Sequence, residues 1–179
     1  RTLDLGADKY TQAQAMEPER NPFLGLRSIR YCLQNQDLFR TQLRAIVRAS
    51  SVGPIRVMFP LITSMNELRQ AKFIFNEVLE ECEEEGIQFS PNIPLGMMVE
   101  VPSAALMAAT FTREVDFFSI GKNDLIQYTV AVDRGNERVA SLYTAANPAV
   151  IKLIKSVIRA ARRGKVETSL CGEIAGDPV

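Results

Sequence analysis

The chain has 179 residues, 46% hydrophobic and 23% charged, a composition ordinary for a soluble globular protein with one sizeable core. Its 21 basic and 21 acidic residues cancel, so there is no overall basic field to recruit nucleic acid or an anionic membrane. It contains no histidine, which removes that residue as general base, zinc ligand or phosphoryl acceptor and leaves carboxylates, arginines, a metal or a cysteine for any chemistry.

In chain order, Arg1 to Leu5 reads as the end of a strand stopped by Gly6. Asp37 to Ser50 carries Leu38, Leu43, Ile46 and Val47 near a 3.6-residue period and predicts a helix. Pro54 to Phe59 (PIRVMF) is a short β-branched and apolar run, a predicted strand. Ser64 to Cys82 predicts a helix that opens on a capping box of Ser64 and Glu67, with Leu68, Ala71, Ile74, Phe75, Val78 and Leu79 on its apolar face. The acidic run Glu80, Glu81, Glu83, Glu84 and Glu85 reads as its solvated end, mildly unfavourable to the helix dipole. Pro94 to Val99 (PLGMMV) is the next strand, with Met97 and Met98 as core, and Pro102 suits the first turn of a short helix. Val115 to Ile120 (VDFFSI) is a strand ended by Gly121. Pro148 to Ala161 is helical, with Val150, Ile151, Ile154, Val157 and Ile158 apolar and Arg159, Arg162 and Arg163 complementing the dipole. Val166 to Leu170 is the least apolar strand and leads into Cys171.

Strands alternating with helices imply βα units and a parallel sheet, and strands apolar on both faces fit a sheet covered by helices. Two closures stand, an open doubly wound sheet or a barrel. No GxGxxG or GxxxxGK[ST] occurs. Polar residues gather where strands end, at Asp4 and Asp8, Glu100, Asn123 and Asp124, and Cys171 and Glu173; in a barrel these share the rim where chemistry occurs. A complete barrel needs about 250 residues, and the periodicity yields roughly five strands. The expectation is an α/β fold, an incomplete (β/α)8 barrel of the TIM type, with residues 1–179 as one domain truncated at both ends. No apolar run is long enough to span a membrane. The three cysteines, Cys32, Cys82 and Cys171, fit no zinc or redox motif and suit a reducing cytoplasm.

Three groups of residues have chemical potential. Glu100 and Asp124 each follow an apolar strand. As neighbours at one rim they would share a hard cation such as Mg²⁺, which takes one or two protein carboxylates; the alternative is that each carboxylate caps the next helix, Asn123 or Asp124 being a good N-cap. Arg1, Arg27 (after NPFLG) and Arg134 (in AVDRGN) carry planar forks suited to phosphate and carboxylate oxygens, or are surface charges. Cys171 is either a small buried hydrophobe or a reactive thiol at the rim. Cys32 and Cys82 lie on helical patterns and read as inert.

Five stretches resemble enzyme I of the bacterial phosphoenolpyruvate:sugar phosphotransferase system: RTLDLGADK (Arg1 to Lys9), NPFLGLR (Asn21 to Arg27), MMVEVPSAA (Met97 to Ala105), VDFFSIGKNDLIQYTVAVDRGN (Val115 to Asn136) and CGEIAGD (Cys171 to Asp177). They span the chain in the family's order. Pyruvate phosphate dikinase and phosphoenolpyruvate synthase share shorter versions, but QYTVAVDRGN looks like enzyme I. The resemblance implies that Glu100 and Asp124 are Mg²⁺ ligands. It implies that Arg1, Arg27 and Arg134 hold phosphoenolpyruvate, that Asn123 contacts its phosphate, and that Cys171 is the acid–base residue at the enol carbon. It further implies a cytoplasmic, homodimeric transferase (kinase) of sugar transport. Such an enzyme passes phosphoryl to a histidine on a separate N-terminal domain and then to a histidine phosphocarrier protein, and releases pyruvate. Lys122, Ala7, Thr144, Ala145 and Ser169 depart from the family pattern without removing a named ligand. The rivals are a piece of a related dikinase or synthase, a non-catalytic phosphoenolpyruvate- or pyruvate-sensing module, and a Mg²⁺-dependent lyase with a similar carboxylate pair.

Overall fold

Parallel strands buried on both faces need near-continuous apolar runs, and the helices that cover them need one apolar stripe each. The computed structural model of the chain describes residues 1–5 and 19–171 and meets both requirements. Its elements are α1 (Ile29–Gln34), α2 (Gln36–Ala49), β1 (Val57–Phe59), α3 (Met65–Glu84), β2 (Leu95–Val99), α4 (Pro102–Leu106), α5 (Ala108–Phe111), β3 (Phe117–Gly121), α6 (Lys122–Val130), α7 (Pro148–Gly164) and β4 (Glu167–Cys171). They divide into two compact units, residues 1–60 with 65–94, and residues 61–64 with 95–179.

In the first unit α2 turns Phe39, Leu43 and Val47 inward at four-residue intervals. α3 buries Leu68, Ala71, Ile74, Phe75, Val78 and Cys82, the stripe its periodicity predicts. α1 and α2 both pack on α3. Outside this seam Arg40 bridges Glu77 and Glu81, and Arg44 reaches Glu85. The acidic end of α3 is therefore partly neutralised by α2 rather than only solvated. The hydrogen bond from Arg44 holds the Glu85 carboxyl below its ordinary range, although pairs this open to water add little stability.

The segment Arg1–Leu5 is not a strand, so four strands are found among the described residues where roughly five were expected. The Thr2 N–H does donate to the Met58 carbonyl at 3.0 Å. The next donor, Leu3 N–H, is taken by the Gln42 side chain at 2.9 Å, and the Leu5 carbonyl accepts the Ser28 N–H at 2.6 Å. With the Leu3 donor and the Leu5 acceptor taken by a side chain and a loop, the pairing that Thr2 begins is not continued as a ladder. Gly6, Asp8 and Glu173 lie outside the described residues.

The second unit holds β2, β3 and β4, all parallel, with Met97 beside Phe118, Val99 beside Ile120, and Gly121 beside Cys171. β3 is buried along its whole length and β2 along all but its first residue, whereas β4 alternates between exposed and half-buried positions. That contrast follows from composition: FFSIG and LGMMV are apolar runs, and ETSLC is not. α7 packs on α4 and α5. It starts at Asn147, whose side chain accepts the Ala149 N–H at 2.9 Å, with Pro148 in the first turn. It ends on Lys165 in the left-handed conformation. At Gly164 a Cβ would stand 2.5 Å from the Thr112 Cβ, so the last turn of α7 closes on the segment after α5 only because no side chain intervenes. Among the described residues no helix is long and apolar enough to cross a membrane.

Phe118 has no exposed surface and lies in the central strand of the second unit. Phe118→Ala is expected to lower unfolding free energy by ~3–5 kcal/mol, read by urea denaturation. A loss under ~1 kcal/mol would show that this strand is not the packed core of its unit.

Candidate functional site

Parallel strands deliver all their carboxyl ends to one side of the sheet, where the loops that follow them converge. Val99 lies beside Ile120, so Glu100, the next residue, comes to the level of Gly121, and Gly121 in turn pairs with Cys171. Glu100, Gly121 and Cys171 therefore mark one line across the carboxyl end of β2, β3 and β4.

Glu100 is only 3% exposed. Gly121 makes the room for it: a Cβ at Gly121 would stand 2.5 Å from Glu100 Oε2 and 2.8 Å from Glu100 Cβ. Glu100 Oε1 accepts the Leu61 N–H at 2.7 Å. Leu61 is itself buried and has φ 52°, a conformation costly for a residue with a branched side chain. The Ser103 hydroxyl holds the same loop by donating to the Thr63 carbonyl at 3.0 Å. A buried carboxylate, a side-chain-free neighbour and a strained turn thus depend on one another.

Asp124 is in the first turn of α6, where the helix dipole favours a carboxylate. The cap position is Gly121, and the cap before α4 is Val101, so neither Asn123 nor Asp124 nor Glu100 takes the capping position that was the alternative reading. Asp124 Oδ2 lies 4.0 Å from Arg134 Nη1. The return of the chain that brings Arg134 there is held by Gln127, whose Oε1 accepts the Arg134 N–H at 3.1 Å, and by Asp133, which accepts the Gly135 N–H at 2.8 Å. Asn123 is exposed, and its carbonyl accepts the Tyr143 hydroxyl at 3.0 Å. Lys122, the first residue of α6, is 5% exposed, so its stem does not lie out in solvent.

Cys171 closes β4 and is exposed, whereas Cys32 and Cys82 are buried. Burial pushes the Cys32 thiol up to about 11, with the charge of Asp4 adding to the shift, and burial raises Cys82 as well. Both are buried, and Cys171 is not the buried hydrophobe of the alternative reading. Its Sγ lies 2.9 Å from the Ser119 hydroxyl oxygen.

Arg1 and Arg27 belong to the first unit, where both meet Asp4, Arg27 at 3.2 Å and Arg1 at 3.6 Å. Arg27 is 3% exposed and lies 5.8 Å from the centre of the Phe23 ring. It is not a surface charge, and removing its carboxylate would leave a buried charge uncompensated. The expected residues are therefore gathered in two sets. Arg1 and Arg27 meet on Asp4; Glu100, Asn123, Asp124, Arg134 and Cys171 belong to the carboxyl end of the sheet and the loops beyond it. Ser119, Gly121 and Gln127 were not foreseen. For Ser119 and Gly121 the signals were a lone hydroxyl within the run VDFFSI and a glycine directly after it; Gln127 carried none.

The donor set at the carboxyl end suits a hard cation. Among the described residues no group of three or more His, Cys, Asp and Glu is placed to hold a metal ion. Glu100 and Asp124 offer carboxylate oxygens, the donor type that Mg²⁺ takes from a protein in ones and twos, with substrate and water filling its other positions.

The family model for the phosphoenolpyruvate-binding domain of phosphoenolpyruvate-utilising enzymes matches residues 1–179. Two proteins named phosphoenolpyruvate-protein phosphotransferase, from Geobacillus stearothermophilus and Priestia megaterium, are 55% and 53% identical over all 179 residues. The chain spans 31% of the length of each. A solved structure of a citrate lyase from Burkholderia xenovorans LB400 superposes with a TM-score of 0.56 at 19% identity, over 73% of this chain and 40% of that one. That likeness bears on fold alone, and it agrees with the expected incomplete (β/α)8 barrel.

Substituting Gly121→Ala drives a methyl group into Glu100. The expected result is a loss of ~1–3 kcal/mol of stability, together with faster hydrogen exchange at the Leu61 amide, by about tenfold or more, as its charged acceptor is displaced. Unchanged exchange at Leu61 would mean that Gly121 does not set the position of the carboxylate.

Proposed function

The chain belongs to the family of phosphoenolpyruvate-binding domains of phosphoenolpyruvate-utilising enzymes, and from that premise we propose that it is the substrate-binding part of a phosphoenolpyruvate-protein phosphotransferase. The full enzyme moves the phosphoryl group of phosphoenolpyruvate to a histidine and releases pyruvate. This chain has no histidine, so the acceptor belongs to another part of the enzyme, and a histidine phosphocarrier protein takes the group next. The setting is cytoplasmic sugar transport, with a homodimeric enzyme. The observation that carries this reading is the alignment of a buried carboxylate, Glu100, and an exposed thiol, Cys171, at the carboxyl end of one parallel sheet.

Phosphoryl transfer requires that the charge spread over the transferred oxygens be neutralised by groups already in place. Glu100 and Asp124 would hold Mg²⁺, which supplies that neutralisation at the phosphate when bound. Glu100 is suited to a fixed role because one of its oxygens is already anchored on the Leu61 N–H. Arg1, Arg27 and Arg134 would offer planar forks to the phosphate and the carboxylate of the substrate, Arg1 and Arg27 from positions beside Asp4 and Arg134 by turning from its loose pair with Asp124. The exposed Asn123 offers its side-chain amide to the phosphate.

Departure of the phosphoryl group leaves the enolate of pyruvate. The thiol proton of Cys171 passes to the methylene carbon, the enolate electron pair forms the new C–H bond, and the ketone is restored. The sulfur keeps the S–H electron pair as a thiolate. In the reverse direction that thiolate removes a proton from the pyruvate methyl group.

Cys171→Ala in the full-length enzyme is expected to leave phosphoenolpyruvate affinity within roughly tenfold, because the arginines and the cation hold the substrate. Exchange of pyruvate methyl protons with D₂O, in the presence of Mg²⁺ and phosphorylated enzyme, should slow by about 10²-fold or more. Exchange at the unsubstituted rate would assign the proton to another group and sink this role for Cys171.

A further inference from the structure

Ser119 is the one polar residue in an otherwise apolar strand, and it is 3% exposed. A hydroxyl that far from water needs a partner, and here the partner is the Cys171 sulfur at 2.9 Å. The sheet register sets this up. Ser119 pairs with Ser169, and Cys171, two residues further along β4, points to the same face as Ser169. Ser119 thus meets Cys171 on a diagonal between neighbouring strands.

The polarity of this contact depends on the state of the sulfur. A thiol either donates to the serine oxygen or accepts from its hydroxyl, and the serine hydrogen rotates to suit. A thiolate has no hydrogen to give, so only the O–H of Ser119 is left as donor. We propose that Ser119 is a positioning residue for Cys171, turning its hydroxyl onto the sulfur when the proton has left and so stabilising the thiolate. This rests on the reading of Cys171 as the proton donor to the enol carbon, and it adds a group that does not touch substrate. In balance, the S–H bond breaks, its proton joins the methylene carbon, and the electron pair left on sulfur receives the Ser119 hydrogen bond. A hydrogen bond to an ionised acceptor is about twice as strong as one between neutral groups, and the buried Ser119 hydroxyl has little water to turn to instead.

The test is the alkylation rate of Cys171 by iodoacetamide at one near-neutral pH, followed by mass spectrometry of the peptide that carries it. Cys32 and Cys82 are buried, and a Cys171→Ser chain gives the background. No phosphoenolpyruvate is involved, so failure here leaves the phosphotransferase reading standing, and failure of that reading leaves this result interpretable. Ser119→Ala should react more slowly by on the order of tenfold, the usual scale for losing a hydrogen bond to a charged group. Ser119→Thr, which keeps the hydroxyl, should stay close to the unsubstituted rate. If the alanine chain does not fold, the isosteric pair Ser119→Thr and Ser119→Val repeats the comparison, with threonine faster. An alanine variant as fast as the parent or faster, or a threonine variant as slow as alanine or valine, overturns the proposal in favour of simple packing.

Discussion

The constraint on which the candidate site in the second unit depends is the approach of the Gly121 backbone to the Glu100 carboxylate. A single methyl at position 121 would stand 2.5 Å from a carboxylate oxygen. With that space kept open, Glu100 stays buried while one of its oxygens holds the Leu61 amide in a left-handed turn. The parallel register then carries the same level across to Cys171 on the next strand. A slip of one residue would turn every side chain of a strand to the opposite face. The positions of the carboxylate and the thiol are thus one fact about the sheet rather than two.

The arginines are held with unequal firmness, and the difference bears on how a ligand would engage them. Arg134 meets Asp124 at 4.0 Å with both side chains partly open to water. A pair of that kind is worth ~0–1 kcal/mol, so the guanidinium turns to a bound anion at little cost. Arg27 is buried on Asp4 at 3.2 Å. Breaking such a pair without replacement costs ~3–5 kcal/mol, so Arg27 would engage a ligand from a fixed position with Asp4 still attached. One arginine is adaptable and the other pre-organised, and the sequence gives no sign of which is which.

Much of the architecture was legible because it is written in periodicity. The stripe of α3 and the apolar runs of β2 and β3 were read at their observed places to within a few residues. Even β4, the least apolar of the strands, was read within a residue of its observed place. Arg1–Leu5 was misread because a short apolar run cannot reveal that a glutamine on α2 will take its backbone donor. α1 and α5 span fewer than two turns, too short to show a helical period. At the site, the residue types in Glu100, Asp124 and Cys171 were visible where strands end. The contacts that place them were not. That Gly121 is packed against a carboxylate, that Ser119 faces a thiol, and that Gln127 ties back Arg134 are facts of register and loop return, which one sequence does not encode locally.

The central claim is that the carboxyl end of this sheet binds phosphoenolpyruvate together with a cation held by Glu100 and Asp124. Calorimetric titration of phosphoenolpyruvate into the protein, with Mg²⁺ and after its removal by a chelator, tests it most directly. The account predicts that affinity falls by about tenfold or more without Mg²⁺, a coupling of at least ~1.4 kcal/mol, and that Glu100→Gln abolishes the dependence. Equal affinity with and without Mg²⁺, or a dependence untouched by Glu100→Gln, would contradict it.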